Sequence, residues 1–397
     1  MNDMRRSNGN GRTMKRRAWL GGCAVLAIFA MSDVARADAL PTPSMGASLA
    51  ANANPISVDL DWAGKWSVGG AVTGLAFYQD NPNFGVHSQL DLDNGQAWIE
   101  KTDGWWQFYV QAGAYSLPSL GGGYIKSSIA PALLYGDVPV AFVKIVPTDN
   151  FSIQAGKLPT LYGAESTFTF QNMNIQRGLL WNQEPSISEG VQANWSSGPF
   201  SLSVSANDGY YSKQLNWIDG TASYAFNGGA DTVSLTAGGN VGHNPTNLPF
   251  ATPVINDGSM FVAIYSHTSG PWTITPYFQY ANAPADPAHG TFKGASSAGG
   301  AVLVNYAFDD HWKLAGRAEY VSSSGSAAAG SVNMLIAGPG SKAWSFTLTP
   351  TYQYKIFFAR LEGSYVGASD VTPGFGYGPS ATDTTQASVF FETGVLF

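Results

Sequence analysis

From about residue 63 onward the sequence places apolar residues at every second position, and this period of two commits the chain to β-strands. In WSFTLTPTYQY, Trp344, Phe346, Leu348, Tyr352 and Tyr354 share one face, and Ser345, Thr347, Thr349, Thr351 and Gln353 share the other. HWKLAGRAEYV sets Trp312, Leu314, Ala318 and Tyr320 against Lys313, Arg317 and Glu319. FFARLEGSYV sets Phe357, Ala359, Leu361 and Tyr365 against Arg360, Glu362 and Ser364. Two architectures use such strands. A soluble sandwich packs its apolar faces into a core, whereas a membrane barrel turns them to lipid and keeps a wet lumen.

Strand length and connections favour the barrel. About sixteen segments alternate in this way, with 14 to 18 as the range, from 64–78 to 386–397. Most are near the roughly 9 to 11 residues that cross a bilayer as a tilted strand. Their connections alternate in length: TDG from Thr102, TDN from Thr148, SGP from Ser197 and from Ser269, and DD from Asp309 are tight, whereas about twenty-seven residues separate Thr160 from Ser186. Short turns on one side and long loops on the other are the barrel pattern, with the short side periplasmic. Trp105, Trp106, Trp195, Phe200, Phe226, Trp272, Phe308, Trp312, Phe357 and Phe397 all fall near short turns. Aromatics so placed form a girdle at one interface, whereas sandwich aromatics would gather at strand centres. The expected fold is all-β: a transmembrane, antiparallel, up-and-down barrel over residues 63–397.

Composition agrees. Of 397 residues, 44% are hydrophobic and only 12% charged, about half the charge of a soluble domain. Residues 1–37 carry a basic cluster (Lys15, Arg16, Arg17), an apolar run from Ala18 to Met31 and a small-x-small site at Ala35-Arg36-Ala37. This is the pattern of a signal peptide cleaved after Ala37. Twin-arginine and lipoprotein readings of RRAWL and LGGC are weaker, because Cys23 precedes most of the apolar run. Cleavage would leave 13 basic and 25 acidic residues, a net charge of about −12, and no cysteine, so disulfides are excluded and a nucleic-acid partner is not expected. Residues 38–62 are expected to form a periplasmic tail, or a short plug.

Catalytic chemistry has little support. His87, His243, His267, His289 and His311 lack metal-ligand spacing, and no cofactor or metal is expected. His267 with Asp257 is the one pairing that an outer-rim hydrolase could use.

Two stretches carry a family resemblance. The chain closes on ASVFFETGVLF, with Phe391, Val395 and Phe397 on one face of the last strand. It resembles the signal by which the bacterial outer-membrane assembly machinery recognises barrels. Residues 156–210, with Gly156-Lys157, Arg177-Gly178-Leu179-Leu180, Glu184-Pro185 and Asn207-Asp208-Gly209, are similar to the β-barrel porins of the OmpL-like family. The close match covers about 55 residues, and the general strand pattern covers the rest.

The resemblance implies a barrel in the outer membrane of a Gram-negative bacterium, embedded in lipid and passing small hydrophilic solutes by diffusion. Homotrimers are common in that layout. Sixteen strands leave room for an aqueous channel. The third long loop, bearing Glu165, Arg177 and Glu184, is expected to fold inward as a constriction; an outward, solvated loop is the alternative. Strand parity directs Lys313, Arg317, Glu319, Arg360, Glu362 and Glu392 to the pore wall, either to place a field across the lumen or to form wall ion pairs. Net acidity favours cations. A non-conducting barrel serving as adhesin or structural protein stays open beside the porin reading.

Overall fold

The computed structural model describes residues 49–242, 253–287, 292–334 and 336–397. The expected signal peptide lies outside the described residues, as do His243 and His289.

Seventeen strands follow in order: β1 (Ile56–Asp59), β2 (Lys65–Gln79), β3 (Ser88–Lys101), β4 (Trp106–Tyr115), β5 (Val140–Thr148), β6 (Phe151–Pro159), β7 (Ile187–Ser197), β8 (Phe200–Asn207), β9 (Trp217–Phe226), β10 (Asp231–Asn240), β11 (Ser259–Ser269), β12 (Trp272–Ala283), β13 (Ala295–Ala307), β14 (Trp312–Ser323), β15 (Lys342–Tyr354), β16 (Phe357–Ser369) and β17 (Thr385–Leu396). From β2 to β17 each strand pairs antiparallel with the next, and β17 returns to β2, with Glu392 opposite Leu75 and Leu396 opposite Ala71. The sheet is therefore a closed barrel of sixteen strands, which leaves no open edge in lipid. Among the described residues, no helix is long and apolar enough to cross a membrane.

Side-chain exposure follows the alternation of the sequence. On β15, Trp344, Phe346, Leu348, Tyr352 and Tyr354 are exposed on the outer wall, while Ser345, Thr347, Thr349, Thr351 and Gln353 are buried inside. The aromatics beside the short turns, among them Trp105, Trp195, Phe200, Trp272, Phe308, Trp312 and Phe357, are exposed on the barrel's outside.

The last strand closes on a tight fit. The backbone of Phe397 exchanges two hydrogen bonds with Gly70, of 2.8 and 3.0 Å. Its ring covers that glycine, where a Cβ would overlap it. Below this point β1 takes over the edge of β2, pairing Ile56 with Val68 and Asp59 with Lys65.

The segment before β1 is more than an unpaired tail. Leu49 is buried among residues that include Phe358, Leu396 and Ala71. The main chain of Ala50 is held by Gln353, whose side chain accepts from the Ala50 N–H at 2.7 Å and donates to its carbonyl at 2.9 Å. Gln353 faces inward near the short-turn end of β15, so this segment enters the short-turn mouth of the barrel.

Candidate functional site: the lumen and its inward loop

The connection between β6 and β7, residues 160–186, lies inside the barrel. A chain segment there must satisfy its backbone polar groups without free access to water, and charged wall side chains do so. Glu362 on β16 accepts the N–H groups of Ile175 and Gln176 at 2.5 and 2.9 Å. Glu319 on β14 accepts those of Leu179 and Leu180 at 3.0 and 3.3 Å. The guanidinium of Arg360 donates to the carbonyls of Asn172 and Thr169 at 2.8 and 2.7 Å, and that of Arg317 to the carbonyl of Gln176 at 2.8 Å.

These groups also neutralise one another. Arg360 faces Glu392 across the β16–β17 pair, with Nη2 to Oε2 at 2.5 Å. Arg317 reaches Glu165 of the loop at 2.5 Å and lies 3.3 Å from Glu319, all three side chains being closed to solvent. Hydrogen bonds to a charged partner contribute about 1.5–3 kcal/mol each, so the loop is fixed most strongly to the β14–β17 wall. Neutral bonds from Gln279 to Leu180 and Gln183, at 3.0 and 3.1 Å, and from Thr236 to Leu161, at 3.2 Å, tie it to β12 and β10.

The expected wall residues thus divide. Arg317, Glu319, Arg360, Glu362 and Glu392 do face the lumen, as parity directs, but the loop covers them and they serve as its anchors. Wall ion pairing is the arrangement found, extended to the loop backbone. Lys313 stands apart near the short-turn end of β14, buried on the inner face. The three expected loop residues also divide. Glu165 joins the anchor set, accepting the Gly178 N–H at 2.9 Å besides pairing with Arg317. Arg177 is wholly buried with its guanidinium 5.3 Å from the ring centre of Trp181. Glu184 is buried with no hydrogen-bond partner on either carboxylate oxygen among the described residues. Burial, together with Glu165 and Glu319 nearby, holds its carboxyl well above the usual range.

Further anchors escape the alternation. Asp93 and Asn94 on β3 are adjacent in sequence and both buried, because the register between β2 and β3 shifts there: Thr73 faces Asn94 and Gly74 faces Leu92. Asp93 is the extra residue of a bulge, which re-aims side chains. It accepts from the hydroxyl of Thr169 at 2.6 Å. Asn174 and Gln176 complete the attachment through Thr349, at 2.8 Å, and through Ser364 and Ser388, at 2.9 and 2.8 Å.

The opposite wall is different. Along β8 to β12 the inner face carries small hydroxyls, paired side to side: Thr221 with Thr236 at 2.7 Å, Ser223 with Ser234 at 2.7 Å, and Ser266 with Thr275 at 3.3 Å; the first pair also meets the loop at the Leu161 carbonyl. Ser223, Ser234, Ser266 and Thr275 keep partial exposure, unlike the covered β14–β17 wall.

Above the loop, towards the long connections, a cavity of about 460 Å³ opens among the outer loops. Trp181, Tyr210, Tyr211, Phe375 and Tyr377 contribute aromatic faces. Burial pushes the Tyr377 phenol up to about 12, so it stays neutral. At the outer rim Asp208 follows β8 and accepts from the N–H groups of Glu189 and Lys213 at 2.7 and 3.0 Å. Burial nevertheless raises its carboxyl to about 6.

The hydrolase pairing of His267 with Asp257 does not form. Asp257 adjoins the outer start of β11, whereas His267 lies at its short-turn end, where Nδ1 meets Asp231 at 2.6 Å.

A closed sixteen-strand barrel with its long third loop folded inside is the architecture of an outer-membrane porin. The family model described as "Putative beta-barrel porin-2, OmpL-like" matches residues 65–397, and the chain belongs to that family. Among solved structures, the outer-membrane-expressed OmpT of Vibrio cholerae is similar over 87% of this chain and 100% of its own, with a TM-score of 0.56 at 13% identity. The outer membrane channel DcaP of Acinetobacter baumannii is similar over 84% of this chain and 97% of its own, with a TM-score of 0.56 at 12% identity. OmpF of Salmonella typhi, in complex with daunomycin, is similar over 86% of this chain and 100% of its own, with a TM-score of 0.56 at 13% identity. At these identities the likeness is one of fold. No curated protein matches the chain.

Proposed function

We propose that the chain is a diffusion channel of the outer membrane, passing small hydrophilic solutes past the inward loop along the half-exposed hydroxyls of the β8–β12 wall. The observation that carries this reading is the division of the inner face: the loop's charged anchors lie on the β14–β17 wall, whereas Ser223, Ser234, Ser266 and Thr275 of β9 to β12 stay half-exposed beyond its neutral bonds to Thr221, Thr236 and Gln279. Glu165, Arg177 and Glu184 belong to the constricting element, Arg317, Glu319, Arg360, Glu362 and Glu392 hold it, and Lys313 sits on the inner wall near the periplasmic mouth. The acidic balance of the chain supports a mild preference for cations. The chemistry is transport rather than catalysis. Lipid contact along the exposed apolar wall, recognition of Phe391, Val395 and Phe397 by the assembly machinery, export by a signal peptide cleaved after Ala37 and a periplasmic role for residues 38–62 accompany this reading. So does a homotrimer, since OmpT of Vibrio cholerae is found in a trimer form.

Single-channel conductance of the folded protein in a planar bilayer tests the proposal. Discrete, long-lived steps support it, and the reversal potential in a salt gradient gives the preferred ion. A protein that inserts and never conducts would refute it. One observation favours a second reading, a barrel closed from the periplasmic side: the entry of Leu49 and Ala50 into the lower mouth. A variant with residues 49–55 replaced by a Gly-Ser segment separates the two readings, since a plugged barrel begins to conduct only on that change.

A further inference from the structure

The chamber above the inward loop has a chemistry unlike the loop's anchored underside. That underside carries Arg317, Arg360, Glu319, Glu362 and Glu392, whereas the 460 Å³ chamber has no lysine, arginine or aspartate among its lining residues. Glu184 is its sole acidic member, and both its carboxylate oxygens are shut away from solvent.

What the chamber offers instead is ring surface. Tyr210 and Tyr211 reach it from the loop after β8, Phe375 and Tyr377 from the loop after β16, and Trp181 from the inward loop itself. Three of these rings are held in place: the Tyr210 hydroxyl donates to the Gln183 carbonyl at 2.7 Å, Tyr211 meets Tyr135 edge-on at 5.3 Å, and the Tyr377 backbone pairs with Asp383. Its neutral polar groups are the amides of Asn83, Asn182 and Asn333 and the hydroxyls of Ser119, Ser186 and the tyrosines. Asn83 and Asn182 each use the side-chain nitrogen on a loop carbonyl, at Gly121 and at Leu120, both at 2.9 Å. This turns their side-chain nitrogens to the protein and leaves amide oxygens as acceptors.

A volume of this size, with ring and aliphatic walls interspersed with neutral amide and hydroxyl groups, suits a small organic ligand rather than a hydrated ion. The nearest cations, Lys213 and Lys157 at the Tyr211 ring and Arg177 at the Trp181 ring, are not part of the lining, so an anion entering the chamber would lose its water without a direct cationic partner, which is costly. We propose that the outer chamber is a binding site for uncharged, ring-bearing, hydroxylated small molecules, which stack on its aromatic walls and donate to its amide oxygens. The inference deepens the channel reading, because capture at the outer mouth would enrich this class of solute above the constriction.

The test uses the full folded chain in detergent and two isosteres, 4-hydroxybenzyl alcohol and 4-hydroxybenzoate, titrated calorimetrically. The alcohol is expected to bind saturably, and the acid about tenfold or more weakly, as desolvation of an unpaired carboxylate requires. Phe375→Ala and Tyr211→Ala, each on an outer loop, are expected to weaken the alcohol about tenfold, since stacked rings dominate such sites. Folding of both variants is checked by the heat-dependent shift in gel mobility shown by folded barrels. Absence of saturable binding by the alcohol, equal binding of the acid, or folded variants that bind undiminished would overturn the proposal. Conductance is measured on the same preparation. Binding without conductance upholds the site and removes the channel reading, whereas conductance without binding removes the site alone. If both hold, the alcohol shortens open times more strongly from the loop side of the bilayer.

Discussion

Arg317 of β14 and Glu165 of the inward loop meet at 2.5 Å with both side chains closed to solvent, joining two parts of the chain 152 residues apart. Glu319 lies 3.3 Å from the same guanidinium and accepts two loop N–H groups. The arginine therefore holds two carboxylates that would otherwise be buried charges. Arg317→Ala is expected to cost about 3–5 kcal/mol, the usual penalty for breaking a buried pair from one side. The readout is a loop that becomes cleavable by protease added at the loop side, together with larger and noisier conductance. Glu165→Gln, which keeps the shape, should loosen the loop less.

Gly178 supplies the N–H that Glu165 accepts, and a Cβ at this position would overlap the Glu319 and Glu165 carboxylates. Gly178→Ala is expected to push the 175–180 segment off Glu319, costing about 1–3 kcal/mol as an overpacked site. Single-channel recordings check this, because an undisturbed loop would leave the step size unchanged.

Gln353 makes two hydrogen bonds to the main chain of Ala50. At about 1 kcal/mol each, their loss in Gln353→Ala should shift the 49–55 segment out of the short-turn mouth by roughly thirtyfold in population. Conductance events are expected to lengthen, and a cysteine placed at Leu49 should react faster with a periplasmic-side thiol reagent. No change in either would mean that Phe358 and Leu396 alone retain the segment.

Asp208, outside the membrane-crossing strands, has its carboxyl raised by burial to about 6. Because the folded value exceeds the unfolded one, near 4, protonation favours the folded rim. This contribution is fully present below about pH 4 and is lost as pH rises through 6. Hydrogen exchange corrected for intrinsic rates should show the Ser212 and Lys213 amides less protected at pH 7.5 than at pH 4.5. Asp208→Asn should abolish the difference.

Much of the barrel is legible in the sequence, because lipid outside and water inside impose alternation on every strand. Arg317, Glu319, Arg360, Glu362 and Glu392 could be directed inward for that reason alone. Their partners could not be read, since a carboxylate bonding to the backbone of residues 175–180 leaves no side-chain pattern in the loop. Asp93 was hidden by its own bulge, which breaks the parity that locates the others. β1 and the entry of Leu49 escaped because a four-residue strand and one buried leucine fall below any periodic signal. The aromatic chamber joins residues from separate loops, so no contiguous motif announces it.

The seam between β17 and β2 sets an order on how the molecule can be made. Glu392 and Leu75 face each other across roughly 300 residues of intervening chain, so their pairing closes the longest loop of all and must come late. Until then β2 and β17 are bare edges, each able to template onto another chain. β1 pairs with β2 only a few residues away in sequence and is able to form at once, shielding the part of β2 that β17 never reaches. Misassembly is therefore most dangerous at the stretch from Ala71 to Gln79, and a destabilised seam would fail by chain-to-chain pairing before the barrel itself unfolds.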